Sequence, residues 1–259
     1  MTVTASTFLN RENRPPEPLP GPCTLIMTAT VTPPADMPRT MRNQSALRRA
    51  EYEQAFLFYL GLDNRFVDEI VLFENSDADL KPFAALAQRT GSAKIVTLVN
   101  IDSNYPAEKG KGYGEFLMLD RGLAQLPPTS AARRFWKVTG RLQVANFEQM
   151  VATAPPRYDI YTDMRNVPLV GERLGGNQWM ELRLFSFTRS GYDSLLRGRY
   201  DIDFVLEKGF YAELMTLRSE RRIDLGQARP RGAQRLEVDL REAVERRSLC
   251  RCAQQALVR

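Results

Sequence analysis

Apolar and polar positions along this chain follow two periods in turn. The run Cys23-Thr-Leu-Ile-Met-Thr-Ala-Thr-Val31 is apolar, β-rich and closed by Pro33 and Pro34, which predicts a buried strand. Between Ala46 and Leu60, Leu47, Tyr52, Phe56 and Tyr59 recur at helical spacing and predict a helix. Glu69–Phe73 reads as a second strand, broken by Glu74-Asn75-Ser76. Asp77–Gln88 predicts a second helix whose start is rich in capping side chains, and Lys94–Val99 a third strand. Further on, helices are expected at Gly114–Gln125, Asn146–Ala154 and near Tyr192–Leu196, with strands at Arg134–Thr139, Tyr158–Thr162 and Trp179–Phe187.

Alternation of strands and helices is the pattern of an α/β domain with a mostly parallel sheet flanked by helices. In such sheets ligands bind outside the carboxyl ends of the strands. Three segments fall there: Thr28–Pro34, Glu74–Asp79 and the expected loop from Asn100 to Glu115.

Composition narrows the chemistry. The 259 residues contain no histidine, which excludes Ser-His-Asp and Cys-His catalysis and every His-ligated metal centre. The three cysteines, Cys23, Cys250 and Cys252, form no CxxC, so the expectation is a reducing, cytoplasmic setting. No apolar run reaches the roughly 18–20 residues that span a bilayer. Residues 1–22 are polar, hold five of the sixteen prolines and read as a flexible leader, not a secretory signal. From Arg218 to Arg259 there are eleven arginines, no lysine and six acids, a net +5 that equals the whole chain's charge. Residues 1–217 are therefore neutral overall, which disfavours a nucleic-acid-binding body. The expected division is a leader (1–22), an α/β domain (23–215) and a helical Arg-rich extension (216–259).

Four motifs carry candidate chemistry. Glu108-Lys-Gly-Lys-Gly-Tyr-Gly-Glu115 alternates lysine and glycine ahead of a helix. It reads either as a glycine-rich turn or as a backbone cradle for phosphate, with Lys111, Gly112, Tyr113, Gly114 and Glu115 as its ligand-facing part. Phe135-Trp-Lys-Val-Thr-Gly-Arg141 places Lys137, Thr139 and Arg141 at i, i+2 and i+4, which predicts one shared strand face, with Gly140 opening the turn. Glu74, Asn75 and Ser76 either cap the next helix or hydrogen-bond a base. Asp77-Ala-Asp79 and Asp201-Ile-Asp203 have the DxD pattern of a metal–diphosphate site, but both fit a structural role better.

Taken together, TLIMTATV, the arginine-bearing helix ahead of EIVLFENS, KGKGYGE, FWKVTGRLQVAN and WMELRLFSF resemble bacterial surface-polysaccharide glycosyltransferases (capsule or O-antigen type) with a GT-A-like nucleotide-sugar fold, over about residues 23–200. The resemblance implies a nucleoside diphosphate sugar as donor. Thr28, Ala29, Thr30, Glu74, Asn75 and Ser76 would line base and ribose, and the Lys-Gly segment would lie near the diphosphate. Where the family's DxD would hold a metal, this chain has Val138-Thr-Gly-Arg141. A divalent metal is thus not expected to be required, and Lys137 or Arg141 would stabilise the leaving diphosphate.

With no histidine, a base for the acceptor hydroxyl must be a carboxylate, and Asp163 and Glu181 are the expected candidates. The acceptor implied is a glycan or a lipid-linked sugar. A non-catalytic nucleotide-binding module of a polysaccharide assembly complex is the alternative. In the tail, Leu236, Leu240 and Val244 recur every four residues beside Arg235, Arg241, Glu242 and Glu245. Such a helix would dock on its own domain or lie peripherally on an anionic membrane face.

Overall fold

A computed structural model describes residues 21–34, 44–128, 133–166, 178–201, 205–219 and 225–227. The elements run β1 (Cys23–Ala29), α1 (Ser45–Leu60), β2 (Val67–Glu74), α2 (Lys81–Thr90), β3 (Ile95–Asn100), α3 (Gly110–Gln125), β4 (Arg134–Thr139), α4 (Phe147–Ala152), β5 (Ile160–Arg165), β6 (Trp179–Thr188), α5 (Arg189–Leu195), α6 (Leu206–Ser219) and β7 (Leu225–Gln227). Among the described residues seven strands form one sheet in the order β3-β2-β1-β4-β6-β5-β7. Only β6 runs against its neighbours β4 and β5; the other paired strands are parallel. This is the mostly parallel α/β sheet the alternating pattern predicts.

Strand alternation supplies each face of the sheet with its own core. Leu25, Met27, Trp136 and Val138 point to α1, α2 and α4, where Phe56, Tyr59, Phe83 and Phe147 meet them. Ile26, Val71, Phe73, Phe135 and Phe185 point the other way, to Phe116, Leu119 and Leu123 of α3, Tyr192 of α5 and Phe210 of α6. Both faces being covered explains why β1 and β2 read as continuous apolar runs without alternation.

Several expected boundaries move, each for a local reason. In α1 the buried stripe is Arg48, Tyr52, Ala55, Phe56, Tyr59 and Leu60, while Leu47 is 47% exposed. Helix α2 starts at Lys81, not Asp77: Asp77 sits at φ 54, and Pro82 fits a first helical turn. Its N-cap, Leu80, makes no side-chain cap; Asp79 instead accepts from the Lys81 amide at 3.0 Å. Helix α3 begins at Gly110, so most of the expected Lys-Gly loop is helix. Helix α6 runs to Ser219 and β7 adds an edge strand beside β5, so the folded unit continues past residue 215. The leader before residue 21, Asp203, Cys250, Cys252 and the Arg-rich stripe all lie outside the described residues.

Gly122 shows how closely α3 lies on the sheet. A Cβ there would sit 2.5 Å from the fully buried Phe73 ring. Gly122→Ala should gain about 1 kcal/mol of helix propensity but lose more through overpacking, which costs about 1–3 kcal/mol. A lower melting temperature in thermal unfolding is expected; an unchanged or higher one would show that the ring has room to yield.

Candidate active site

The sheet's strand order reverses between β1 and β4: from β1 the chain builds β2 and β3 to one side, then crosses to place β4 on the other. The carboxyl edge at such a switch point is where an open α/β sheet takes a ligand. Gly140 lets the two strands close there. Its amide donates to the Thr28 carbonyl at 2.8 Å, and a Cβ would stand 2.7 Å from that same oxygen.

On the α1 side two guanidinium groups converge. Arg48 donates from Nε to the Thr30 carbonyl at 2.8 Å and from a terminal nitrogen to the Tyr52 hydroxyl at 3.2 Å. The Thr30 amide donates to that hydroxyl at 3.0 Å. Arg141 pairs with Glu51 at 2.9 Å and lies over the Tyr52 ring, yet its buried Nε has no partner among the described residues. Burial is the main cause that lowers the proton affinity of Arg48, opposed by Tyr52 and reinforced by the charge of Arg141. Arg141 therefore does not share a face with Lys137 and Thr139, as its spacing predicts. The strand ends at Thr139, and the turn at Gly140 swings the arginine toward α1.

Beside it, Thr30 Oγ1 donates to Asn75 Oδ1 at 2.6 Å, and the Thr32 amide donates to Ser76 Oγ at 2.8 Å. Glu74 has a different place. Its side chain is fully buried and accepts from the Val31, Ser76 and Ala78 amides at 2.9–3.0 Å and from the Ser76 hydroxyl. It fastens the loops after β1 and β2 to each other and is not exposed to a ligand. Ala29 is likewise interior.

On the α3 side lies Lys137, 0% exposed in the middle of the sheet. Its ammonium meets Glu115 at 2.7 Å, the Leu182 carbonyl at 2.7 Å and Thr139 Oγ1 at 3.2 Å, one acceptor for each N–H. Glu115 Oε1 also accepts from Thr28 at 2.5 Å and Thr139 at 3.1 Å. The Leu182 carbonyl needs a side-chain donor because β6 bulges here: Thr162 faces Phe185 and Met164 faces Met180, so Asp163 alone opposes Glu181–Leu184. Thr162 Oγ1 satisfies the next orphan, the Glu181 carbonyl, at 3.0 Å. With all three protons committed, Lys137 braces the edge and has none left for a diphosphate.

The same bulge brings together the two expected bases. Arg165 lies between Asp163 (3.4 Å) and Glu181 (3.1 Å), and Arg183 grips Glu181 from Nε at 2.9 Å and from a terminal nitrogen at 2.8 Å. Burial on its own would raise the Glu181 carboxyl, but Arg183 and then Arg165 hold it below its ordinary range. Its pairing stabilises the fold above that range and is lost as pH falls through the depressed value. A carboxylate so held is a weak base. Glu207, in the first turn of α6, is the opposite case: burial first, then the charges of Glu181 and Glu115, raise its proton affinity.

Two of the KGKGYGE glycines, Gly112 and Gly114, serve packing, while Gly110 takes a left-handed backbone at φ 79. A Cβ on Gly112 would meet Leu206 Cδ1 at 2.6 Å, and one on Gly114 would meet the Tyr105 ring at 2.1 Å. Tyr113 lies between Tyr105 and Tyr200, with ring centroids 5.6 and 5.1 Å away. Lys111 is exposed on the first turn of α3, and Lys109 pairs with Asp201. Sequence reasoning missed Arg48, Glu51, Tyr52, Arg165 and Arg183 as site residues. Arg48 carried a readable signal, since it sits four residues before Tyr52 and eight before Phe56 on the helix's apolar stripe. Among the described residues no three His, Cys, Asp or Glu side chains are grouped so as to hold a metal ion, and no helix is long and apolar enough to cross a membrane.

No protein-family profile matches this chain, and no curated protein matches it in sequence. Among solved structures it is similar to a protein from Desulfovibrio desulfuricans G20 assigned as a nucleotide-diphospho-sugar transferase (12% identity, 80% of this chain and 79% of that one, TM-score 0.44). It is also similar to the inositol-1-phosphate CTP transferase of T. maritima (14%, 81% and 86%, TM-score 0.42) and to HddC of Yersinia pseudotuberculosis (12%, 80% and 92%, TM-score 0.38). Likenesses this distant assign no activity, which has to be read from the residues.

Lys137→Met should cost about 3 kcal/mol, because it strands the Glu115 carboxylate and the Leu182 carbonyl together. Adding Glu115→Gln should recover part of that loss. Urea unfolding of the single and double variants checks this; equal stability of Lys137→Met and wild type would remove the bracing role.

Proposed function

We propose that this chain is a glycosyltransferase that holds a nucleoside diphosphate sugar at the β1/β4 switch point and transfers the sugar to a hydroxyl of a glycan or lipid-linked acceptor. One observation carries the reading: Arg48 and Arg141 converge on the carboxyl edge, and the buried Arg141 Nε has no partner among the described residues. A guanidinium fork with a free N–H is suited to a phosphate oxygen, and an anion placed there offsets the repulsion that burdens Arg48. Thr30, Asn75 and Ser76, half-buried on the adjoining loops, offer hydroxyl and amide groups to ribose and base.

The chemistry assigned to the edge is leaving-group stabilisation. As the bond from the sugar to the diphosphate breaks, negative charge grows on the phosphate, and fixed cations there lower the barrier. Among the described residues no carboxylates are grouped to hold a metal ion, and on this reading Arg141, with Arg48 behind it, supplies that charge. Thr139 and Gly140 shape the floor beneath it; Lys137 and Glu115 keep that floor rigid.

Nucleoside diphosphates should raise the melting temperature, with EDTA present, and Arg141→Ala should shrink the shift. A ligand at about 100 times its Kd stabilises by about 2.7 kcal/mol. A wild-type protein indifferent to every nucleotide tested would sink the donor site. Pyrophosphate release from a nucleoside triphosphate and a sugar 1-phosphate would replace glycosyl transfer with nucleotidyl transfer.

A further inference from the structure

We infer that Tyr52 is the second hydrogen-bond donor of the phosphate site, giving its phenolic proton to a non-bridging oxygen of the diphosphate beside Arg141 Nε; the inference rests on the donor-site reading above. Tyr52 is 3% exposed and belongs to the buried stripe of α1. A phenol has one proton to give and lone pairs that receive. Here the oxygen receives twice, from the Thr30 amide at 3.0 Å and from Arg48 at 3.2 Å. No acceptor among the described residues takes the proton. Other buried tyrosines place theirs within the protein: Tyr59 donates to the Leu142 carbonyl at 2.8 Å and Tyr192 to Asp120 at 2.6 Å. A buried donor with no acceptor destabilises the fold, so the Tyr52 proton marks a place where an acceptor comes from outside the chain.

Packing holds that hydroxyl at the switch point. The ring lies against the bare backbone of Gly140, where a Cβ would stand 3.1 Å from its Cδ1 and 3.2 Å from its Cε1. The guanidinium carbons of Arg141 and Arg48 lie 5.9 and 5.7 Å from the ring centroid. Tyr52 thus touches the loop after β1 through its oxygen and the end of β4 through its ring. The acceptors beside it are already engaged, the Thr30 carbonyl by Arg48 and the Glu51 carboxylate by Arg141.

What this side of the sheet offers a ligand is donors, the Tyr52 O–H and the buried Arg141 Nε–H, next to fixed positive charge. That set suits an oxyanion and gives nothing to a ligand group that must itself donate. A phosphoryl group has terminal oxygens enough to accept from both. The phenol keeps its proton throughout. Its hydrogen bond fixes the phosphate in place and strengthens as negative charge gathers on the leaving diphosphate. Tyr52 is therefore a binding and positioning residue for the donor, and its hydroxyl, more than its ring, is what the phosphate reads.

The test uses the full chain with two replacements at position 52. Tyr52→Phe removes the hydroxyl. O-methyltyrosine in place of Tyr52 keeps an oxygen that accepts from Thr30 and Arg48 but sets a methyl group where the proton points. UDP, GDP, CDP and dTDP are titrated calorimetrically into wild type with EDTA present, and the one bound most tightly is carried to the variants. Both replacements should weaken it about tenfold or more, the effect of losing one hydrogen bond to a charged group. Without nucleotide, the O-methyl protein should melt within about 3 °C of wild type, because its methyl occupies space left for the ligand. A tyrosine that serves only to hold Thr30 and Arg48 would lose nothing in the O-methyl protein. Binding there, or in Tyr52→Phe, that falls by less than about tenfold overturns the inference and leaves the donor site standing. An O-methyl protein that melts lower than that range shows the proton pointing into the protein, which also overturns it. Should Tyr52→Phe fail to fold, the O-methyl protein decides alone. If no nucleoside diphosphate binds wild type, the donor site fails and the role of Tyr52 falls with it.

Discussion

An ammonium in the middle of a β-sheet costs several kcal/mol unless each of its N–H groups meets an acceptor. Lys137 meets three, and they come from three different parts of the fold: Glu115 on α3, Thr139 at the end of its own strand, and the Leu182 carbonyl of the β6 bulge. Because the charge tolerates no looser arrangement, α3, β4 and β6 are held in register at the edge where a ligand would enter. Thr28 joins β1 to the same carboxylate. The residue that looks most like a ligand in the sequence is thus the one that fixes the geometry of the others.

That brace divides the edge into two electrostatic halves. On the α1 face of the sheet Arg48 and Arg141 stand side by side, with Glu51 and the Tyr52 hydroxyl as partial compensation. Toward α3 and α6 the carboxylates outnumber the cations around Glu207. On the proposed reading, the positive half is where a diphosphate would leave. Glycines at 112, 114 and 140 allow the halves to approach by letting Leu206, Tyr105 and the Thr28 carbonyl come within contact of bare backbone. Their service is to packing, and the Lys-Gly-Lys-Gly pattern is a helix start fitted under α6.

Much of the fold was legible because hydrophobic period speaks directly. Strand β4 falls on its expected residues, and α1, β1, β2, β3 and β6 lie within about two residues of theirs. The antiparallel sense of β6 and its bulge were not, since pairing direction is set by where the chain returns and leaves no local pattern. The site was legible by region but not by role. Thr28–Thr30, Glu74–Ser76 and Thr139–Arg141 do gather at the carboxyl edge. Glu74 and Lys137, however, read as ligands because polarity in an apolar run looks functional, and only burial with full partners shows the structural alternative.

The most direct measurement is a crystal structure of the chain with the nucleoside diphosphate that stabilises it most. The account predicts the phosphates at the β1/β4 switch point, with an oxygen about 2.7–3.2 Å from Arg141 Nε and Lys137 still on Glu115. A diphosphate bound instead at the start of α3, with Arg141 Nε still unpartnered, would contradict it.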